Sequence, residues 1–471
     1  MDQKKQRKFR ILLLSVSSTS FFYEQLVIPF GLVSIGSYVD NPGYEIKGIE
    51  MNSPPHKIMH RYLKVDHEIL DQIIGYNPDL IAMSTYATNM YNVMFWAEEI
   101  KRNVPESFIV VGGNHVSYMA KECLEKCRGI DAAVRFEGEL PFKMLCEKLY
   151  NKDSDFSPVP SLSYRQNGKI LENPQAELIN DLNSLPILNR TFFAENPSPE
   201  NITHADMISA RGCPFSCTFC NCNHYWSKRH RTRSVSSVIE ELKILTQKHP
   251  LKSVRFRDES ITLNKKHCIE ICSEIVSNNI KLRFQAHSRL DGLDEEVIQA
   301  LSRAGFETLF IGVESGSREV LRSLRKGIDL SRLESVISLL RKYGISFRLS
   351  FMSATPGEGI GKTLETVKLI KRLKLERNEY YLGYGVDIYP GTEESDRFLA
   401  LHPHHEWISK NSQFKGKYHA VKDPSGNVIQ PKYREYGMPT VALVYFLLSP
   451  AYFVEKMIAL SSRMLNILTK R

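Results

Sequence analysis

The sequence predicts an α/β protein built from two successive strand–helix domains, and three observations carry that reading. Short apolar runs alternate with helix-length amphipathic segments from Arg10 to about Leu149, and again from Ala205 to about Pro390. A proline-rich stretch separates the two alternations, and three cysteines gather in one short loop at the start of the second. Strand–helix alternation implies parallel sheets covered by helices. The expected architecture is a doubly wound, Rossmann-like sheet (residues 1–150), a linker with a small hairpin (151–201), a partial (β/α)6 TIM-type barrel (202–394) and a helical C-terminal extension (395–471).

In the first domain the strands fall at Ile11–Ser15, Glu45–Ile49, Leu80–Ser84, Phe108–Gly112 and Ala132–Phe136. Between them, Tyr91 to Arg102 sets Val93, Trp96, Ala97 and Ile100 on one helical face. Ligands of doubly wound sheets bind outside the carboxyl ends of the strands. Those ends carry Ser84-Thr85, Gly112-Gly113-Asn114-His115 and Glu137-Gly138-Glu139. Glycines there let a backbone approach a ligand closely.

Prolines at 158, 160, 174, 186, 197 and 199 break any long element in the linker, and Gln166-Asn-Gly168 reads as a hairpin turn. Beyond it, strands fall at Met207–Ala210, Ser253–Asp258, Leu282–Ala286, Thr308–Val313, Ser346–Phe351 and Tyr380–Gly385. Ser237-x-x-Glu240 and Ser331-x-x-Glu334 read as capping boxes, and Gly305 and Gly344 as helix stops. Such a barrel does its chemistry at the strands' C-terminal ends. Asp258-Glu259, Arg289 and Glu314-Ser315 stand there, with surface salt bridges as the ordinary alternative.

Cys213, Cys217 and Cys220 follow a C-x3-C-x2-C spacing with no fourth partner at a matching distance. A structural zinc site wants four closed ligands, and an electron-transfer cluster usually wants four cysteines. Three thiolates leave one iron of a 4Fe–4S cluster open to a substrate. Cys222 keeps a four-cysteine zinc knot, and with it a zinc-stabilised binding protein, as the rival reading. Cys268 and Cys272, like Cys123 and Cys127, share helix faces and read as small core residues.

Bulk properties exclude several classes. The chain has 471 residues, more than one core, with 42% apolar and 24% charged residues, as in ordinary globular proteins. The net charge of +9 is spread along the chain, so no nucleic-acid tail is expected, and it selects neither an anionic substrate nor a membrane surface. No apolar run reaches 18 residues, so no transmembrane span is expected. Nine cysteines without framework spacing read as reduced and cytoplasmic. His402-Pro-His-His405-Glu-Trp407 reads as a surface loop, and the apolar stretch Pro439–Leu460 as a helix that packs, covers the site or touches a membrane surface.

The cysteine loop Ile208–Cys220 closely resembles the signature of the radical S-adenosylmethionine superfamily, and the resemblance covers the whole barrel stretch. It implies that the open iron chelates S-adenosylmethionine and that cleavage gives a 5′-deoxyadenosyl radical, with an external donor such as flavodoxin or ferredoxin supplying electrons. Phe219 matches the aromatic position near adenine. Asp258, Glu259, Arg289, Glu314, Ser315, Gly357 and Glu358 match positions facing the rest of S-adenosylmethionine. Ser353 and Ala354 stand where a glycine is usual.

The first domain resembles the cobalamin-binding domain that precedes the barrel in one large group of these enzymes. Pro29-Phe-Gly-Leu with Tyr38, Gly112–His115 and Glu137–Glu139 carry the likeness, and Asn180–Pro186 resembles the group's linker. It implies cobalamin contacts from Ser84, Thr85, Gly112, Gly113, His115, Glu137, Gly138 and Glu139. The D-x-H-x-x-G motif is absent, so the domain binds cobalamin without a lower histidine ligand or binds none. The resemblance implies methylation of an unactivated carbon in a lipid, porphyrin-like or natural-product substrate. A radical cyclase or oxidoreductase, with or without cobalamin, is the alternative.

Overall fold

A computed structural model describes residues 7–17, 29–51, 65–193, 202–407, 418–422 and 428–434, with 444, 447 and 448. The first alternation forms one seven-stranded sheet in the order β2-β1-β3-β4-β5-β6-β7. Its strands are β1 (Phe9–Ser15), β2 (Tyr44–Glu50), β3 (Leu80–Ser84), β4 (Phe108–Gly112), β5 (Ala132–Val134), β6 (Leu162–Gln166) and β7 (Lys169–Glu172). β1 to β5 pair in parallel, and the hairpin β6–β7 extends the sheet antiparallel from β5. The hairpin of the proline-rich stretch therefore belongs to the first sheet, because β5 offers it an open edge.

Period-two alternation gives this sheet two apolar faces. Leu12 and Leu14 pack on one side with α2 (His67–Tyr76), α3 (Met90–Asn103) and α4 (Val116–Lys126). Ile11 and Leu13 pack on the other with α1 (Phe30–Val39) and α5 (Glu139–Tyr150). In α3 the expected face is buried, with Val93, Trp96, Ala97 and Ile100 all at most 1% exposed.

The second alternation forms a six-stranded parallel sheet, ordered β15-β14-β13-β12-β11-β8. Its strands are β8 (His204–Met207), β11 (Ser253–Phe256), β12 (Arg283–Arg289), β13 (Phe306–Glu314), β14 (Ser346–Ser353) and β15 (Tyr380–Tyr384); the two-residue strands β9 (Ala210–Arg211) and β10 (Arg231–Thr232) form a separate ribbon. In chain order the helices are α6 (Cys222–Tyr225), α7 (Val235–Lys248), α8 (Lys265–Ser277), α9 (Glu295–Ala304), α10 (Arg318–Ser323), α11 (Leu333–Lys342), α12 (Ile360–Arg372) and α13 (Glu393–Leu401). Phe256, Ala286, Leu309 and Leu349 point under the helices into one core, which also takes Cys268 and Cys272.

Two expected helix starts shift by a few residues. Ser234, not Ser237, caps α7 by accepting the Ser237 N–H at 3.2 Å. Asp329, not Ser331, accepts the Ser331 N–H and opens a turn of 3-10 helix before α11. In both cases the acceptor lies at the last extended residue, which is where a cap must sit. Gly305 and Gly344 do stand at helix ends, with φ of 92° and 70°.

The C-terminal region is only partly described. α13 is helical as expected, but β17 (Tyr418–Lys422) and β18 (Val428–Tyr433) form an antiparallel sheet with β16 (Val386–Asp387) that the sequence reading lacks. Most of Pro439–Leu460 lies outside the described residues; Val444 is buried and Leu447 and Leu448 pack against the barrel core. No helix among the described residues is long and apolar enough to cross a membrane.

Candidate functional site

The cysteine loop leaves the C-terminal end of β8 and is tied at its base by the β9–β10 pair. Gly212 precedes Cys213 with φ +97°, and a Cβ there would meet the Arg229 carbonyl oxygen at 1.9 Å. Only glycine fits this turn. Cys213, Cys217 and Cys220 are free and half-buried. Burial pushes the Cys213 and Cys217 thiols up, and the cations Arg289 and Lys326 work against that. A hydrogen bond from Cys222 pulls Cys220 down, while the same contact raises Cys222. Nearby cations and donors favour thiolates, the ligand form.

The donor set fits an iron–sulfur cluster with one open iron. A single-ion site fits less well: among the described residues, no three His, Cys, Asp or Glu side chains gather as one metal ion requires. A polynuclear cluster takes one thiolate per iron and does not need that convergence.

The acidic pair after β11 fastens the loop. Asp258 accepts the Ser209 N–H at 2.8 Å and its hydroxyl at 2.5 Å, and burial pushes its carboxyl up to about 6. Glu259 accepts the Gly212 N–H at 2.8 Å and the Trp226 indole N–H at 2.6 Å. Both carboxylates are committed to the loop's backbone and flank, so their first role here is positioning.

Arg289 pairs with Asp291 at 2.9 Å, donates to the Lys326 carbonyl at 2.9 Å and lies 3.5 Å over the Phe215 ring. Glu314 follows a bulge in β13, has φ +68° and pairs with Lys326 at 2.7 Å. Gly312 lies beneath that pair; a Cβ there would meet Glu314 Oε1 at 2.5 Å. Ser315 accepts the Ser317 N–H at 3.1 Å. Glu358 is fully buried and accepts the Thr355 N–H and hydroxyl, both at 2.9 Å, with burial pushing its carboxyl up to about 7. Gly357 is in the left-handed region at +74°, and so is Ala354 at +57°, at the position where glycine is usual. Phe219 packs against an apolar cluster of Val386, Ile388, Phe398 and Trp407.

A cavity of ≈ 260 Å³ opens between the carboxyl ends of the first sheet and the cysteine loop's flanks. Ser84, Gly112, Gly113, Glu137, Gly138 and Glu139 line it on one side. Arg211, Tyr225, Trp226, Arg257 and Glu259 line the other. A Cβ at Gly31 would meet nothing within 4 Å, and one at Gly112 only the Val134 carbonyl at 3.7 Å. These walls leave room for a bulky, largely apolar group.

Two expected contacts do not line the cavity. Thr85 spends its hydroxyl on the Gly112 carbonyl (2.9 Å) and the Val116 N–H (3.3 Å). His115 is buried at the head of α4, because the left-handed Gly113 turns the chain into that helix. Burial pulls its imidazole down to about 4, so it stays neutral, and among the described residues neither ring nitrogen has a hydrogen-bond partner.

Glu137 and Glu139 line the cavity with carboxylates already paired. Arg211 reaches Glu137 at 2.8 Å and Glu139 at 2.5 Å, and Arg231 reaches Glu137 at 3.0 Å. Ser34 donates to Glu139 at 2.9 Å. Burial pushes the Glu139 carboxyl up, but Arg211 more than reverses it, leaving it below the usual range. Both arginines also stand over the Trp226 ring, at 5.9 and 5.3 Å. The sequence reading missed Arg211, Trp226, Arg231 and Lys326. Two of them had a signal: Arg211 stands two residues before Cys213, and Trp226 six after Cys220.

A three-thiolate loop on a partial barrel, facing an α/β cofactor-type domain across a shared cavity, defines an iron–sulfur enzyme with two cofactor positions. The family model described as Radical SAM superfamily matches residues 207–370, and that described as B12 binding domain matches residues 23–145. An uncharacterized methyltransferase of Pyrococcus horikoshii is 31% identical over 327 residues, covering 69% of this chain and 70% of that protein. The chain belongs to the radical S-adenosylmethionine superfamily, in its branch with an N-terminal B12-binding domain.

The anaerobic magnesium-protoporphyrin IX monomethyl ester cyclase of Synechocystis is 27% identical over 67% of this chain, which spans 62% of that enzyme. Among solved structures, the radical S-adenosylmethionine methyltransferase TsrM of Kitasatospora setae, with cobalamin and a 4Fe–4S cluster bound, matches with a TM-score of 0.77. It shares 16% identity and covers 94% of this chain and 92% of its own; at that identity the likeness concerns the fold.

Proposed function

We propose that the protein is a cobalamin-dependent radical S-adenosylmethionine methyltransferase acting on an unactivated carbon of a small-molecule or lipid-like substrate. One observation carries this reading: the cavity at the B12-binding domain's strand ends shares its walls with the flanks of the cysteine loop. When bound, the cluster supplies the electron that cleaves S-adenosylmethionine, and cobalamin supplies a methyl carrier.

The chain's own residues do the rest. Cys213, Cys217 and Cys220 would hold three irons of that cluster. Lys326 and Arg289 keep that loop's negative charge balanced, while Glu259 and Asp258 hold its backbone. Glu314, Ser315, Gly357 and Glu358 stand on the barrel rim where S-adenosylmethionine would lie, and Phe219 flanks it. Ser84, Gly112, Gly113, Gly138 and the paired Glu137 and Glu139 line the cobalamin cavity, and the neutral His115 supports that wall from beneath. An external one-electron donor such as flavodoxin or ferredoxin would supply the electron for that cleavage. The functional division of the chain follows: cobalamin domain, linker, radical barrel and C-terminal extension, in a cytoplasmic protein.

Metal content of anaerobically purified protein, from cells supplied with cobalamin, tests the reading. About four irons and one cobalt per chain are expected. Iron without cobalt would promote the cyclase or oxidoreductase reading, which the Synechocystis relative favours. Zinc without iron would end both. Cys217→Ala should abolish S-adenosylmethionine cleavage, whereas Cys222→Ala should retain iron and most cleavage; loss of all iron in the latter would overturn the ligand assignment.

A further inference from the structure

β5 ends at Val134 and α5 begins at Glu139, and the turn between them lines the cavity that faces the barrel. Among the described residues, Phe136 in that turn is the one aromatic residue with a left-handed backbone, at φ +62°. A bulky side chain in this region is an outlier and carries strain. Its backbone is held on both sides. The Ser117 hydroxyl accepts the Phe136 N–H at 2.8 Å and donates to the Gly113 carbonyl at 2.8 Å. The Tyr225 hydroxyl donates to the Phe136 carbonyl at 2.6 Å. Burial pushes that phenol up, so it stays a donor. One clamp comes from each domain, Ser117 from α4 and Tyr225 from α6 just after the cysteine loop. Strained residues persist only where their surroundings over-determine them, and they cluster at ligand sites.

The strain aims a ring. Phe136 lies between two tyrosines, its centroid 5.7 Å from that of Tyr118 and 5.7 Å from that of Tyr225. Tyr225 continues to Trp226 at 4.6 Å, and Glu259 fixes that indole. Phe136, Tyr225 and Trp226 all line the cavity between the two domains. Beside them the strand ends contribute Gly112, Gly113 and Gly138, which have no side chain to offer. A glycine at position 136 would adopt the same φ freely. The ring stands there against the preference of its own backbone.

We propose that Phe136 is a cobalamin contact, its ring set against a conjugated face of the cofactor, and that Tyr225 is the barrel's positioning residue for that ring. The barrel thus completes a site that the B12-binding domain alone leaves unfinished. Aromatic rings take a flat partner in offset or edge contact. That face belongs either to the corrin or to the benzimidazole of its nucleotide tail. The inference rests on the cobalamin-dependent reading and adds two residues to it.

Spectrophotometric titration of the full chain, its iron already counted, with hydroxocobalamin and with cobinamide, which lacks that tail, tests it. Phe136→Gly should weaken hydroxocobalamin about tenfold, and Phe136→Tyr, which keeps the ring, by less than about threefold. Phe136→Asn, whose side chain tolerates the left-handed region, should repeat the glycine result if glycine loosens the turn. An equal loss for cobinamide assigns the ring to the corrin; a loss confined to hydroxocobalamin assigns it to the benzimidazole. Tyr225→Phe should weaken hydroxocobalamin about threefold alone and no further in the Phe136→Gly background, because its hydroxyl acts only by aiming that ring. Unchanged affinity in both Phe136→Gly and Phe136→Asn, or full additivity of Tyr225→Phe with Phe136→Gly, would overturn the proposal. Either result, in a chain whose wild type binds cobalamin, leaves the methyltransferase reading standing. A wild type that takes up no cobalamin would end both.

Discussion

Glu358 is a buried carboxyl on a rim turn whose ionisation burial opposes, up to about 7 against an ordinary 4.5. The folded protein therefore holds its proton more tightly than the unfolded chain does. The stabilisation is fully present below about pH 4.5 and is lost as pH rises through about 7. At most it is on the order of 3 kcal/mol. Glu358→Gln keeps an oxygen for the Thr355 donors and cannot ionise. Its thermal midpoint should fall less between pH 5 and pH 8 than that of the wild type; an equal fall would refute the burial account. At this scale the sequence speaks unevenly. The three cysteines were legible because one loop carries them all. The use of Glu137 and Glu139 was not, because their arginine partners lie 72 to 94 residues away in the chain.

Strands and helices were more legible than their ends. The core strands of both sheets were readable because their apolar runs are local, except that β8 (His204–Met207) lies three residues before the expected Met207–Ala210; caps, by contrast, depend on which residue is last to stay extended. Ser234 tests this. Ser234→Ala should cost about 1 kcal/mol through the lost cap of α7, measurable as a drop of about 2 °C in the thermal midpoint. A neutral outcome would return the cap to Ser237. The turn after β14 offers a change of opposite sign. Ala354 is fully buried with φ +57°, a conformation costing a non-glycine residue about 1–2 kcal/mol. Ala354→Gly should relieve that strain, partly offset by glycine's backbone entropy, and raise the midpoint slightly. A lowered midpoint would mean that the methyl group's packing outweighs the strain. The strands β17 and β18 were illegible because they carry no clean alternation; they pair with each other, and β18 meets the short β16.

At the scale of the whole molecule, the two sheets are joined where the chemistry is. Glu137 and Glu139 follow the carboxyl end of β5, Arg211 leads into the cysteine loop, and Arg231 closes that loop's base. All four are at least nine-tenths buried. Removing one member of such a group strands a charge away from water and typically costs about 3–5 kcal/mol. Arg211→Met should therefore do more than destabilise. It leaves Glu139 with Ser34 alone and frees the strand that presents Gly212 and Cys213. Iron content after reconstitution should fall along with the thermal midpoint. Glu139→Gln keeps a partner for Arg211 and strands no anion, so it should hold its iron and lose less stability. The double variant Arg211→Met/Glu139→Leu separates charge from position: the midpoint should partly recover because no charge at that pair is left stranded, while iron stays low because nothing anchors the loop. Recovery of both would make the network a stability device only. Recovery of the midpoint alone would show that the first domain sets the geometry of the cysteine loop through Arg211.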